Sequence, residues 1–366
     1  MRRAVSALLG ALLVSGCGDS PPPAPLPPEA PPSAAASSSP APPTPSSTPA
    51  KKAAPRALPK PGNPDGRATI PPAARAEDTG EPTRVVGTGT AASCTSDAVV
   101  NAVAAGGVIT FDCGPAPATI TMTRTATVRN DIARVVLDGG GRVTLSGGGK
   151  RRILLMNTCV RPTTSHCQDQ DNPALTVQNL VLAGGDSTGS PDGGGAIFAR
   201  GGRLKVINSR FTGNRCDATG PDLGGAAVRA LSQTRPVYVV NSTFTGGRCS
   251  NGGALSSIGV SWVVLNSVFR DNEAIGHGAN PAEAGTPGGG SGGAIYTDGN
   301  LFTVTVTGAL IENNRAREGG GAVFFVSNDR TGSLTIKNST VRANRSAGFE
   351  TPGHPGIFFL GATITS

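Results

Sequence analysis

Aromatic rings, histidines and long apolar runs are all scarce in this chain, and each shortage removes a class of function. Aromatic residues make up 4% of the 366 residues, and the 32 Lys and Arg residues are spread over the whole length. A nucleic-acid surface needs a concentrated basic patch, often with stacking rings. Despite a net charge of +8, no nucleic-acid partner is therefore expected. The three histidines, His166, His277 and His354, fall in separate stretches with no second His at ligand spacing, so no metal site is expected. His166 with Asp169 and Asp171 is the most enzyme-like grouping, and a merely polar disulfide loop is by far the plainer reading. The serines form no nucleophile elbow, and Gly288 to Gly293 lacks the Lys-Ser/Thr that ends a phosphate-binding loop.

The first residues read as an export signal. Arg2 and Arg3 precede an apolar run, Ala4 to Val14, that falls short of the ~20 residues needed to span a bilayer. Val14-Ser15-Gly16-Cys17 resembles a bacterial lipobox, which implies cleavage of a signal peptide (1–16) and diacylglycerol on Cys17. Gly18 follows the cysteine where an Asp would imply inner-membrane retention, so the resemblance implies an outer-membrane lipoprotein, exported and exposed at the surface. From Pro21 to about Pro82, Pro, Ala and Ser dominate and large apolar residues are almost absent. Such a stretch cannot bury enough surface to offset its ordering entropy. Residues 17–84 are accordingly expected to be a disordered tether, and 85–366 the folded domain. Lys51, Lys52, Arg56 and Lys60 make part of the tether basic, which suits solvation or contact with anionic lipid or peptidoglycan.

Beyond the tether, period-two runs such as Thr119-Ile120-Thr121-Met122 and Leu334-Thr335-Ile336 alternate with glycine-rich turns, which predicts short strands. Two phrases recur. Gly-Gly-Ala plus an apolar residue occurs at 194–197, 252–255, 292–295 and 320–323, with a longer copy at 224–228. An Asn three residues before an apolar anchor, often with another three after it, occurs around Leu182, Phe211, Phe244, Phe269 and Val341, and Ile311 belongs too, with Gly308 in the first Asn slot. A unit of about 30 residues with several short strands cannot bury its apolar face alone; stacked units can, one strand spacing of ~4.8 Å apart. The aligned Asn residues should then form an inward ladder. The fold class expected is all-β, with a short capping helix at Asp97 to Ala105, Ser96 as its cap, and Val99, Ala102 and Val103 on one face. Ile357 to Thr365 reads as an unfinished last coil.

These phrases resemble the GGA-[ILV] and FxxN repeats of the polymorphic outer-membrane protein family. The resemblance implies a right-handed parallel β-helix of the pectin-lyase type from about Cys94 onward. Only Phe211…Asn214 and Phe269…Asn272 match FxxN fully, and no autotransporter barrel is expected.

Apart from Cys17, six cysteines remain, an even number in an exported chain, which implies disulfides. Cys216 and Cys249 each lie five residues after an anchor and so share a phase in consecutive coils. Cys94 with Cys113 would tie the helix to the first coil, and Cys159 with Cys167 would close the loop carrying His166.

Stacking also places polar residues in columns. Asp192 and Asp222 each lie four residues before a GGA alanine, counted to Ala196 and Ala226, with Glu318 in the same slot further on. They are the candidate catalytic carboxylates, and a solvated turn is the plainer reading. Four residues after each anchor come Asp186, Arg215, Arg248, Glu273, Arg315 and Arg345. The arginines Arg215, Arg248, Arg315 and Arg345 suit anionic glycan groups; an intercoil salt-bridge ladder accounts for them too. Three functions follow as expectations: a lipid-anchored surface protein, non-enzymatic, that binds glycans or another surface protein; a polysaccharide lyase or hydrolase; or a structural envelope protein that stacks through its last coil. No cofactor is expected, with Ca²⁺ entering only for the lyase.

Overall fold

The computed structural model describes residues 60–160, 170–279 and 284–366. Many of its strands are short because a residue with positive φ follows them, and these corners recur at matching places in successive turns of chain. One turn shows the rule. Ile197–Arg200 buries Ile197, Phe198 and Ala199, and Gly201 and Gly202 bend the chain with φ of 69° and 63°. Arg203–Ile207 follows; Asn208 turns the corner at φ 48° into Arg210–Thr212, and Gly213 leads on to Asn214 and Arg215. The chain then passes through Gly225 to the next strand, Val228–Leu231.

Each strand pairs in parallel with its counterpart one coil away, as Val228 does with Ile197 and Leu255, and Phe244 with Phe211 and Phe269. Among the described residues the products are parallel sheets of 16, 8 and 4 strands, an arrangement consistent with a β-helix or solenoid. The longest sheet spans two faces because Arg134–Ser146 and Ala174–Ala183 run through a corner that later coils break in two. Inside, Phe211, Phe244 and Phe269 stack with centroids 4.7 and 4.9 Å apart, in register with Leu182 and Ile311. Such ring pairs add ~0.5–1.5 kcal/mol each beyond burial. The GGA phrase also has a steric basis. Gly194 needs its φ of 66°, a Cβ on Gly195 would sit 2.2 Å from the Arg215 carbonyl oxygen, and Ala196 is fully buried.

Three expectations need correction. The aligned alanine of the longer copy is Ala227, not Ala226: Ile197 pairs with Val228, and Ala227 N–H bonds to the Ala254 carbonyl. Ala226 instead fills the second glycine slot and packs beside Cys216 and Cys249. The asparagines form two columns, not one. Asn214, Asn272 and Asn314 point inward and are buried, with Asn272 donating to Asn314 at 2.9 Å and Asn314 to Asn344 at 2.8 Å. Asn179, Asn208, Asn241, Asn266 and Asn338 sit instead at the corner with φ of 48–52°, where Gly308 has 67°. Asn and Gly are the residues that reach this left-handed region at least cost. Third, helix α1 spans Ser96–Ala105 and its cap is Thr95, whose side chain accepts from Ala98 N–H. Ser96 Oγ is bonded to Thr123 instead, while Val99, Ala102 and Val103 are buried as expected.

The boundary of the tether also shifts, because the chain is packed on the sheets from Lys60 onward. It passes Arg210 and Thr243, reverses at Asn63–Gly66 over the Asn266 and Gly308 corner, and returns across the long sheet to β-strand Arg84–Val86. Ala68, Ile70 and Ala74 cover Ile207, Val240 and Leu265. This strap is apolar only at a few small positions, so composition alone reads it as unstructured.

Among the described residues, Cys94 is bonded to Cys113 and Cys216 to Cys249, with Cα atoms 5.6 and 4.8 Å apart. Cys167 and His166 lie outside the described residues, and with them the pairing expected for Cys159. Because Cys216–Cys249 joins consecutive coils across 33 residues, replacing both by Ser is expected to cost about 3–4 kcal/mol on the chain-entropy account. Urea unfolding under oxidising conditions reads this as a lower midpoint; equal midpoints would count against a stapling role.

Candidate ligand-binding surfaces

Two surfaces emerge from the columns. The first lies on the narrow sheet, whose strands Arg248–Cys249, Glu273–Ala274, Arg315–Ala316 and Arg345–Ser346 pair in register. Bridges extend the same column to Arg215 and Asp186. Arg215 Nε donates to Asp186 Oδ2 at 2.8 Å, and Arg248 lies 3.1 Å from Glu273, yet the two arginine side chains keep 56% and 60% of their exposure. Burial opposes ionisation of Asp186, but hydrogen bonds from Thr188 and Arg215 outweigh it and hold the carboxyl below its usual range. Arg315 and Arg345 are exposed, and among the described residues they join no ion pair. Arg317 is exposed two residues further on. Alongside, Arg270 and Arg342 clasp Glu312 at 2.5 and 2.7 Å and tie three coils together. The column is thus a salt-bridge ladder at one end and open guanidinium at the other.

The second surface is an open groove of about 660 Å³ along the asparagine corner. Asn179, Asn208 and Asn241 form its floor with Asp138 and Arg210, while Lys60, Pro61, Gly140 and Gly141 stand at its margins. The left-handed corner turns these asparagines outward, and coil stacking brings their amides into line. Asn241 donates to Asn208 at 3.1 Å, Asn208 to Asn179 at 3.2 Å, and Asn179 to Asp138 at 2.9 Å. Strand Arg134–Ser146 bulges between Asp138 and Val143, which makes room for the Gly140-Gly141 rim. Asp138 also accepts from Thr79 and Gln178, both at 2.8 Å. Burial opposes its ionisation, but the bonds from Gln178, Gly140, Asn179 and Thr79 prevail, and its pKa lies below the ordinary aspartate value. Partial burial lowers the pKa of Arg210, whose Nη2 donates to the Lys60 carbonyl at 2.9 Å. Sequence reasoning named these asparagines but not their outward direction, and missed Asp138 and Arg210.

The acidic pair is less well assembled. After the register correction, the slot of Asp192 is matched by Leu223, and Asp222 is its exposed neighbour. Glu318, in the same slot, accepts from Gly278 and Ala279 N–H, which belong to the insertion, Ala274 to Ser291, that stretches the step from Ala254 to Ala294 to 40 residues. A cation that feels both aspartates is Arg229. It is only 3% exposed, donates to Ser256 Oγ and the Asp222 carbonyl, and has its pKa lowered by burial to about 10, with Tyr296, Asp222, Asp192 and Asp298 opposing. So buried a guanidinium does not meet a polymer. Among the described residues, no three His, Cys, Asp or Glu side chains gather to hold a metal. His277 bridges Gly288 within the insertion, and His354 Nδ1 lies 2.6 Å from Ser366 Oγ.

A scan against protein-family models and searches of curated proteins and of solved structures found no match to this chain.

The groove yields a pH prediction. A depressed folded-state pKa means that Asp138 contributes full stability above its unfolded value of ~3.9 and loses it as pH falls through the lower folded value. Asp138→Asn should therefore be less stable than the parent at neutral pH, and the gap in melting temperature should close below about pH 4. A constant gap from neutral to acid pH would show that the carboxylate charge is not what holds the strap and corner.

Proposed function

We propose that the protein is an exported, lipid-anchored, right-handed parallel β-helix, similar to the polymorphic outer-membrane protein repeats, that binds anionic glycans at the cell surface. The observation carrying this reading is a column on an exposed sheet face in which Arg215 and Arg248 occupy adjacent coils, Arg315 and Arg345 occupy adjacent coils, and the coil of Glu273 separates the two pairs. A ladder of guanidinium groups suits a ligand that itself repeats along its length, because each rung pairs bidentately with a carboxylate or sulfate. The existing ion pairs do not stand in the way. The pair of Arg248 with the partly exposed Glu273 contributes ~0–1 kcal/mol, so Arg248 can turn to a multivalent anion at little cost, while Arg215 stays on the buried Asp186 and offers the 56% of its side chain that remains exposed. Right-handed winding is supported by the handedness rule for parallel strand crossovers, and the anchor by Val14-Ser15-Gly16-Cys17. The candidate acid pair Asp192 and Asp222 gains no comparable support, and the reading is of a binder.

The test is titration of the purified full-length protein with polyuronate and sulfated oligosaccharides. Arg315→Ala with Arg345→Ala is expected to weaken binding at least about tenfold, at ~1.5–3 kcal/mol per charge-assisted bond lost, and to flatten the salt dependence. Thermal unfolding should be unchanged, since both side chains are exposed. Undiminished affinity in the double variant would overturn the reading. For the anchor, Cys17→Ser should abolish incorporation of a labelled fatty acid in cells, and persistent labelling would place the lipid elsewhere.

A further inference from the structure

The groove at the asparagine corner has a chemistry that the chain itself displays. Two side-chain amides of this surface already hold strap residues by their backbones. Asn266 Oδ1 accepts from Ala68 N–H at 2.8 Å while its Nδ2 donates to the Ala68 carbonyl at 3.0 Å. Gln178 repeats the arrangement with Glu77, accepting from its N–H at 2.9 Å and donating to its carbonyl at 3.0 Å. Each amide thus reads the donor and acceptor of one peptide residue and ignores its side chain, since Ala and Glu are held alike. A third contact follows the same logic, because Arg210 donates to the Lys60 carbonyl.

Asn179, Asn208 and Asn241 share the conformation of Asn266, with φ of 52°, 48° and 48° against 49°. Their amides face the open groove and bond to one another. Each amide nitrogen carries two N–H groups and each oxygen two lone pairs, so one donor and one acceptor remain at every rung for a visitor. The groove also begins where the strap enters it, at Lys60 and Pro61, so the two seats form one continuous surface. We infer that this groove docks an extended peptide segment of a partner protein, read through its main chain. Backbone reading of this kind gives affinity with little demand on sequence, as strand addition does at sheet edges. The site is separate from the arginine column, and neither depends on the other.

The probe is a fluorescein-labelled synthetic peptide with the sequence of Gly66–Thr79, whose Ala68 and Glu77 are held in this way in the intact protein. Binding to the full-length protein is followed by anisotropy. A scrambled peptide should bind within about threefold, whereas N-methylation at alternate residues should weaken binding at least about tenfold, because it deletes donors and not side chains. On the protein side, Asn208→Gly removes the amide but keeps the left-handed corner, as Gly308 does in its own coil, and should also cost about tenfold. An unchanged melting temperature for Asn208→Gly confirms that the corner survives. Equal binding by the N-methylated peptide or by Asn208→Gly overturns the inference. So does displacement of the probe by neutral oligosaccharides, which would make the groove a sugar site. Absence of saturable binding overturns it as well.

Discussion

Parallel hydrogen bonding between each strand and its equivalent one coil away is the constraint from which everything else in the structure descends. It turns a position in the repeat into a column in space. A phenylalanine at one phase therefore meets another phenylalanine, as Phe211, Phe244 and Phe269 do, and an arginine meets an arginine or its counter-ion. Stability and surface chemistry are in this sense the same property viewed from opposite sides of the sheet. A column turned inward must be apolar or self-satisfying, and a column turned outward is offered to whatever repeats with the same spacing.

Asparagine occupies both kinds of column for different reasons. Asn214, Asn272 and Asn314 lie inside, where a buried amide is tolerated because it donates to backbone carbonyls, those of Leu182, Phe244 and Phe269, and in Asn272 and Asn314 to the next amide as well. The corner asparagines are selected by backbone conformation, since few other residues take a φ near 50° without strain. Their amides are outward as a by-product of the corner, and the strap exploits them. The arginine column has the opposite character: it is set by the sheet register and left exposed, with acids at Asp186 and Glu273 neutralising part of it.

The strap joins these themes. A segment of Pro, Ala and Gly lacks the apolar surface to fold by itself, yet it is held where side-chain amides supply the hydrogen bonds that a sheet partner would otherwise give. Its small residues let it lie close: a Cβ on Gly62 would come within 2.8 Å of the Asn241 backbone. Binding by backbone complementarity is what keeps such a segment in place despite its composition.

Much of the architecture is legible in the sequence alone, because repetition of Gly-Gly-Ala and Asn phrases at coil spacing encodes the stacking, and Cys216 and Cys249 share a phase that only stacking makes meaningful. Gly308 in an Asn slot even carried the clue that this slot is a left-handed corner, the one property Gly and Asn share. Three things needed the tertiary structure. Direction was one, since a one-residue corner reverses which way an amide points and no periodicity reports it. Register at the Ala226-Ala227 doublet was another, because either alanine fits the phrase and only the pairing of Ile197 with Val228 decides. The last was long-range contact by the strap: Ala68 and Asn266 meet 198 residues apart through groups every residue carries, the backbone N–H and carbonyl, which leave no trace in the order of side chains.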